Sequence, residues 1–153
     1  LLKNKLKFYE KAFNKGLFLY IMIYLSYKEE NMKHYMKLQD NPFKKIKNKT
    51  KTIEMRLNDE KRKKIKQDDL IEFTNIKTKE KLLVRVVNLY HYENFEELYK
   101  NHNKISIGYL KEDVPNPSDM SIYYNQSDIK KYGTLAIEIK LAKGDEFFEN
   151  SNL

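Results

Sequence analysis

The residues with the clearest chemical potential lie in a strand-like stretch, IEMRL, at positions 53–57. Apolar and polar residues alternate there, and a period of two places the two kinds on opposite faces of a β-strand. Glu54 and Arg56 share the polar face, and Lys51 lies just before them. A guanidinium can hold a phosphate or a base edge through parallel hydrogen bonds, an ammonium adds a point charge, and a carboxylate accepts from an exocyclic amine. The pattern predicts a binding site, or else an Arg–Glu pair that only holds the fold together.

Positive charge is concentrated around this stretch. Residues 44–66 contain eleven Lys or Arg and three acidic residues, so they carry a surplus equal to the whole net charge of +8. Such a local excess is typical of phosphate-binding surfaces, because contacts between cations and phosphates release the counterions of the phosphates. The alternative is a solvated lysine face, which would leave the chain as a protein-interaction adaptor.

Two adjacent tyrosines offer a second kind of contact. Tyr123 and Tyr124 point one ring to each face of an extended segment, so we expect one ring in the core. The other ring, which we assign to Tyr124, can then stack on a base. The residues that we expect to contact nucleic acid or a nucleotide are Lys49, Lys51, Glu54, Arg56, Lys61, Arg62, Lys64 and Tyr124.

The sequence carries few other chemical motifs. It has no cysteine, which excludes disulfides and thiolate chemistry, and its four glycines form no glycine-rich phosphate loop. His34, His91 and His102 lack the spacing of metal ligands, so we expect neither a metal nor a cofactor. Lys51 and Glu54 are the candidates for catalysis, on the condition that burial lowers the pKa of the lysine.

Several short strands and brief helices are predicted from the apolar patterns and from the turn and capping residues between them. We expect strands at residues 34–39, 51–57, 70–74, 81–91 and 134–142, and a loop at 112–120. Helices are expected after Asn41 as N-cap with Pro42 at the first position, after Asn94 as N-cap, and before Gly133. Strands and helices do not alternate regularly as in βαβ units. This order therefore predicts an α+β fold, a small and mostly antiparallel β-barrel with two or three short helices at its rim.

The first 31 residues differ from the rest. Their apolar run at 17–27 has eleven residues, fewer than the roughly 20 that a membrane span needs, so we expect no membrane association. The codons that can encode KEENM at 28–32 contain a purine-rich ribosome-binding sequence, and we expect synthesis to begin at Met32. Residues 1–31 are then an extension translated from upstream sequence, or else an amphipathic or partner-binding helix. We expect one domain at 32–142 and an acidic tail at 143–153.

The stretch KTIEMRLNDEKRKKIKQDDLIEF, residues 51–73, resembles the signature of the ASCH domain family. That pattern is roughly G-x-K-x-x-E-x-R, then an acidic and basic DEKR stretch, then a G-D-x-I-x-F strand. The segment KYGTLAIEI at 131–139 resembles the family's ending, and the similarity spans about residues 36–141. The family's two glycines are Thr50 and Asp68 here, and we expect both at turn positions with positive φ.

The resemblance implies a fold related to the PUA domain, a β-barrel that binds RNA or modified bases. It also implies that Lys51, Glu54 and Arg56 line a cleft. The expected partner is RNA or a modified nucleoside or nucleotide, and the expected setting is the bacterial cytoplasm.

Some bacterial members are similar to small amidohydrolases that remove the acetyl group of N4-acetylcytidine with a lysine, a threonine and a later glutamate. Lys51 matches the lysine, but the threonine position holds Glu54, and Thr50 and Thr52 are out of register with it. Glu112 and Asp113 lie only in the region of the later carboxylate. Whether the protein is an enzyme of this kind stays open at the level of sequence.

Overall fold

The computed structural model describes residues 16–17, 19–20 and 31–142. The chain divides into two units, residues 1–31 and 32–153. The predicted extension at 1–31 falls almost wholly outside the described residues, and the acidic tail at 143–153 falls entirely outside them. Among the helices that are described, none has the length and apolar character needed to cross a membrane.

The second unit, as far as it is described, is built around one five-stranded sheet. Its elements in chain order are β1 (Lys33–Leu38), α1 (Asp40–Lys47), β2 (Ile53–Leu57), a 3-10 turn (Arg62–Lys64), β3 (Leu70–Asn75), β4 (Lys81–Tyr92), α2 (Phe95–Asn101), a 3-10 helix (Pro117–Ile122), α3 (Gln126–Tyr132) and β5 (Thr134–Leu141). The strand order is β1-β3-β4-β5-β2; β1 pairs with β3 in parallel, and the other pairs are antiparallel. The sheet curls into a half-barrel, which confirms the predicted α+β, mostly antiparallel, PUA-like fold.

The two faces of the sheet bury two separate apolar cores. One core lies under α1 and includes Phe43, Phe73 and Val84, which are fully buried. The other lies under α2, α3 and the second 3-10 helix, and the apolar residues of β2 belong to it: Ile53, Met55 and Leu57. Because side chains alternate along a strand, this second core fixes the orientation of β2 and directs Glu54 and Arg56 away from it.

The aspartate of the D-x-I-x-F segment has a structural role. Asp69 is buried, and its carboxylate accepts from His34 Nε2 at 2.7 Å and from the backbone N–H groups of Met32 and Lys66 at 2.9 Å. These bonds tie the start of β1 to the turn before β3, which sets the parallel register of the two strands.

Local capping is partly as predicted. Asn94 accepts from the Glu97 N–H at 2.9 Å, and Gly133, at φ 68°, ends α3 where a Cβ would meet the Tyr92 carbonyl oxygen at 2.8 Å. The prediction for α1 is wrong, because Gln39 is its N-cap and Asn41 already lies inside the helix. The helix starts earlier because the Phe43 N–H already bonds to the Gln39 carbonyl oxygen at 3.1 Å, and the acidic Asp40 in the first turn suits the positive end of the helix dipole.

Two loops also differ from expectation. Asp68 has the expected positive φ of 70°, but before β2 the left-handed residue is Lys49, at φ 68°, and not Thr50. The Thr50 N–H and hydroxyl bind the Asn48 side chain, so the reversal falls on the residue between them. The stretch predicted as a loop at 112–120 runs into the 3-10 helix from Pro117, whose start the Asn116 side chain caps.

The strands β1 and β2 are the two edges of the described sheet, and side chains from β2 and from the segment after it reach β1. Arg56 Nη2 donates to the Lys37 carbonyl oxygen at 2.9 Å, and Lys61 Nζ donates to the Tyr35 carbonyl oxygen at 3.3 Å. An edge strand presents unpaired backbone groups, and here cationic side chains occupy two of the carbonyl oxygens. We call the gap between these two edges the seam.

Candidate functional site

A cavity of about 720 Å³ opens at the seam. We call it the seam cavity. Its walls come from the end of β1, the first turn of α1, the strand β2 and the segment between residues 107 and 124. Four of the residues expected at a binding site lie in its lining: Lys51, Glu54, Arg56 and Tyr124. A volume of this size is in the usual range, roughly 300–1,000 Å³, for pockets that bind small organic ligands.

Lys51 is a buried cation in the cavity wall. Its side chain is 5% exposed, and Nζ donates to the carbonyl oxygens of Ile53 at 2.7 Å and Ile107 at 2.9 Å. The Glu54 carboxylate lies 3.4 Å from the same nitrogen. Burial disfavours the charged ammonium and lowers the pKa of Lys51, and the charge of Glu54 opposes this effect.

Gly108 makes room for this lysine. It has φ 111°, and a Cβ there would lie 3.2 Å from Lys51 Cδ. The loop that carries Gly108 is fixed by Lys45 Nζ, which donates to the Gly108 carbonyl oxygen at 2.6 Å. The Ser106 carbonyl oxygen also accepts from the Thr52 and Ile53 N–H groups. Lys51 is therefore positioned by a loop that is more than 50 residues distant in sequence.

Glu54, which is buried, and Arg56, which is partly buried, form an ion pair beside it. Arg56 Nε donates to Glu54 Oε1 at 2.8 Å, and the two side chains are 15% and 6% exposed. One carboxylate thus lies between two cations, so the trio with Lys51 carries a net charge of one positive. Arg56 retains N–H groups beyond those given to Glu54 and Lys37, and each Glu54 oxygen retains acceptor capacity. The pair can therefore hold the edge strands together and still bind a polar ligand.

A hydroxyl chain forms another part of the wall. Tyr109 Oη donates to Asp119 Oδ2 at 2.6 Å, which leaves Tyr99 Oη as the donor to Tyr109 Oη at 3.2 Å. Burial raises the pKa of both tyrosines. The hydrogen bond to Tyr109 adds to this effect for Tyr99, and the bond to Asp119 adds to it for Tyr109, whereas the bond from Tyr99 lowers the pKa of Tyr109. Both phenols therefore stay protonated at neutral pH and present fixed hydrogen-bonding groups to the cavity.

The tyrosine pair is arranged differently from the expectation. Tyr124 is the ring that packs inward: it is half-buried and stacks on Phe95 with ring centroids 5.7 Å apart and planes 17° apart. Burial raises the pKa of Tyr124, while the nearby Arg56 lowers it. Tyr123 also lines the cavity and is 60% exposed. Of the two rings that line the cavity, Tyr123 is therefore the more exposed, while Phe95 covers one face of Tyr124.

A smaller hollow of about 430 Å³ adjoins the seam. We call it the cationic hollow; its lining consists of Tyr35, Met36, Lys37, Arg56, Lys61, Arg62 and Thr74. Lys37 and Arg56 line both the hollow and the seam cavity. The remaining predicted residues, Lys49 and Lys64, are exposed and line neither.

Several residues of the site were not predicted from the sequence. Lys37 lies outside the basic run. Tyr99 lies on α2, Tyr109 in the loop after it, and Asp119 in the second 3-10 helix. Asp113 lines the cavity, but its carboxylate caps the turn at the Leu110 N–H at 2.6 Å, whereas Glu112 is exposed. In residues 31–142 no group of three or more His, Asp and Glu side chains is placed to hold a metal ion.

Comparison with known proteins identifies the family. The model of the ASCH domain family matches residues 36–143. The crystal structure of hypothetical protein PH0355 is 33% identical, covers 72% of this chain and 100% of its own, and superposes with a TM-score of 0.63. The solution NMR structure of protein PF0455 from Pyrococcus furiosus is 34% identical, covers 73% of this chain and 99% of its own, and has a TM-score of 0.57. No curated protein matches the chain. The match to the family model over most of its length shows that this chain belongs to the ASCH domain family.

Proposed function

We propose that this protein binds RNA or a modified nucleoside by taking one base into the seam cavity. The ASCH family is generally linked to RNA binding. The observation that carries the proposal is the trio of Lys51, Glu54 and Arg56, of which Lys51 and Glu54 are buried, in the wall of a cavity of nucleoside size. Burying charged groups costs several kcal/mol per ion in desolvation, by rough estimate, and a ligand that uses them explains their retention better than fold stability does.

The polar groups of the cavity match the edge of a base. Glu54 can accept from an exocyclic amine, and Arg56 can donate to a ring nitrogen or carbonyl oxygen. Tyr123 offers an exposed ring at the cavity wall, and stacking on an aromatic ring contributes about 1–3 kcal/mol per base. Hydrogen bonds would thus select the base, while stacking would hold it.

The test is a direct binding measurement with a matched pair of variants. We would titrate the four common ribonucleosides, N4-acetylcytidine and a short single-stranded RNA into the wild type, Tyr123→Ala and Ile122→Ala. Ile122 is 81% exposed, adjacent to Tyr123 and outside the cavity lining, so it controls for loss of surface area. Tyr123→Ala should weaken binding about 5- to 150-fold by the stacking estimate, without a change in melting temperature, and Ile122→Ala should change neither the affinity nor the melting temperature.

Two results would contradict the proposal. Equal losses in the two variants would show that the cavity is not the binding site. An absence of binding across the whole panel would instead favour the adaptor alternative, in which the lysines form only a solvated face.

A second candidate is hydrolysis of an N-acyl base, and the environment of Lys51 favours it. A buried lysine with a lowered pKa beside a carboxylate is suited to acid–base chemistry. However, Glu54 stands at the family's threonine position, and the Thr50 hydroxyl is bonded to Asn48 Oδ1 and the Lys45 carbonyl oxygen. Water would therefore have to attack the acyl carbon, with the N4–C bond breaking to give the amine and acetate. Release of acetate from N4-acetylcytidine that is lost in Lys51→Met would support this candidate.

A further inference from the structure

We infer that the cationic hollow binds a phosphate group of the same ligand whose base enters the seam cavity, so that the ligand is a nucleotide and not a free nucleoside. This inference rests on the proposed function. The two spaces share Lys37 and Arg56 in their linings, so a ligand can occupy both without leaving the seam. The base and the phosphate of one nucleotide are adjacent groups, so one can lie in each of the two spaces.

The charge of the hollow is not cancelled within the described structure. Its two arginines are paired, Arg56 with Glu54 at 2.8 Å and Arg62 with Asp59 at 2.5 Å. The side chains of Lys37 and Lys61 have no carboxylate partner among residues 31–142. The hollow therefore retains the positive charge of two lysines, and its own lining contributes no carboxylate.

Several hydrogen-bond donors also remain for an anion. The Lys61 ammonium gives one of its hydrogens to the Tyr35 carbonyl oxygen at 3.3 Å and keeps the others. Arg62 also lines the hollow; one N–H of its Nη1 donates to Asp59 Oδ2, and the guanidinium has further N–H groups beyond that bond. Thr74 and Tyr35 add hydroxyl groups to the lining. Phosphate oxygens are acceptors only, so this set of donors suits them.

Other lysines of the basic run lack this setting. Lys44, Lys47 and Lys63 are exposed and are ion-paired with Asp40, Glu80 and Glu60. Lys63 lies two residues from Lys61, carries the same charge and lines neither space. It is therefore a matched control for Lys61.

The experiment compares each nucleoside with its phosphorylated forms. We would measure the affinity of the intact protein for cytidine, adenosine, guanosine and uridine, for each 5′-monophosphate, and for a five-residue single-stranded RNA. The measurements would be made at low salt in the wild type, Lys61→Gln and Lys63→Gln. For the wild type, the monophosphate should bind about tenfold more tightly than its nucleoside, as expected for one charge-assisted hydrogen bond. If the RNA also exceeds the monophosphate, the phosphate belongs to a strand, and if it does not, the ligand is a free nucleotide.

The variants decide between this hollow and general electrostatic attraction. Lys61→Gln should reduce the ratio of monophosphate to nucleoside affinity several-fold, with the remainder supplied by Lys37, and Lys63→Gln should leave the ratio unchanged. Equal effects of Lys61→Gln and Lys63→Gln on this ratio would overturn the inference. Equal affinity of the wild type for nucleosides and their monophosphates would also overturn it, but would leave the proposed binding of the base intact. Binding of neither nucleosides, monophosphates nor RNA would overturn both this inference and the proposed function.

Discussion

Replacing Arg56 by lysine separates ligand binding from scaffold stability at the seam. The substitution keeps the positive charge beside Glu54 but removes the planar group that reaches two acceptors at once. In the wild type, Nε donates to Glu54 Oε1 at 2.8 Å and Nη2 donates to the Lys37 carbonyl oxygen at 2.9 Å. A lysine at this position can satisfy one of these two acceptors, so one hydrogen bond is lost, either to Glu54 on the same strand or to Lys37 across the seam.

The expected size of each effect follows from these contacts. Loss of one hydrogen bond from a charged group costs about 2 kcal/mol of unfolding free energy, and for a chain of this size that lowers the melting temperature by roughly 4–8 °C. Arg56→Ala should cost about 3 kcal/mol, near the low end for a broken buried pair, because Lys51 still neutralises Glu54 from 3.4 Å. If Arg56 also contacts the base, Arg56→Lys should weaken ligand binding by about 1–3 kcal/mol.

Both quantities can be measured on the same samples. Urea denaturation gives the unfolding free energy, and titration with the ribonucleoside panel gives affinity. Arg85→Lys is the control, since Arg85 on β4 donates to the Asp68 carbonyl oxygen at 2.7 Å and lies outside the lining of both spaces. We expect it to change stability by no more than about 1 kcal/mol and affinity not at all. Reduced stability with unchanged affinity in Arg56→Lys would refute a binding role for Arg56 and leave only the clamp.

Three further predictions follow from the site. The pKa of Lys51 is lowered in the folded state, so between the lowered pKa and the ordinary value of 10.5 the unfolded chain binds more protons than the folded chain. The unfolding free energy of the wild type relative to Lys51→Met should therefore rise as pH approaches 10.5. A difference that does not change with pH in urea denaturation would contradict this. Gly108→Ala strains a left-handed residue and crowds Lys51, so it should destabilise the protein by about 1–3 kcal/mol in urea denaturation, and an unchanged midpoint would show that the lysine is free to move. Two lysine–phosphate contacts predict a slope of about −1.4 for the logarithm of RNA affinity against the logarithm of salt concentration, falling to about −0.7 in Lys61→Gln; equal slopes would exclude Lys61 from the contacts.

The sequence predicted β2, the strand that carries Glu54 and Arg56, because the pattern that indicates a strand lies within the strand itself. The alternation in β2 is sufficient to place Glu54 and Arg56 on one face once the other face is known to be apolar. The capping residue Asn94 and the terminating Gly133 likewise mark helix ends through contacts with neighbouring residues.

Other parts of the site depend on contacts between distant residues. The density of lysines in residues 44–66 does not indicate where each side chain points. Lys49 and Lys64 were therefore predicted along with Lys61, and Lys37, which lies outside that run, was missed. The burial of Lys51 depends on the loop at Gly108, which no spacing rule connects to β2. For the same reason, the sequence could not show that the Tyr124 ring is the one covered by Phe95.

The most direct test of base binding in the seam cavity is a chemical-shift titration of the ¹⁵N-labelled protein with the ribonucleoside panel. We predict that the largest shifts occur at the backbone amides of Met55, Arg56 and Gly108 and at the Arg56 Nε–H, which all belong to the cavity lining. Shifts confined to the exposed lysines at 44–49 and 61–64, or no shifts with any nucleoside, would contradict it.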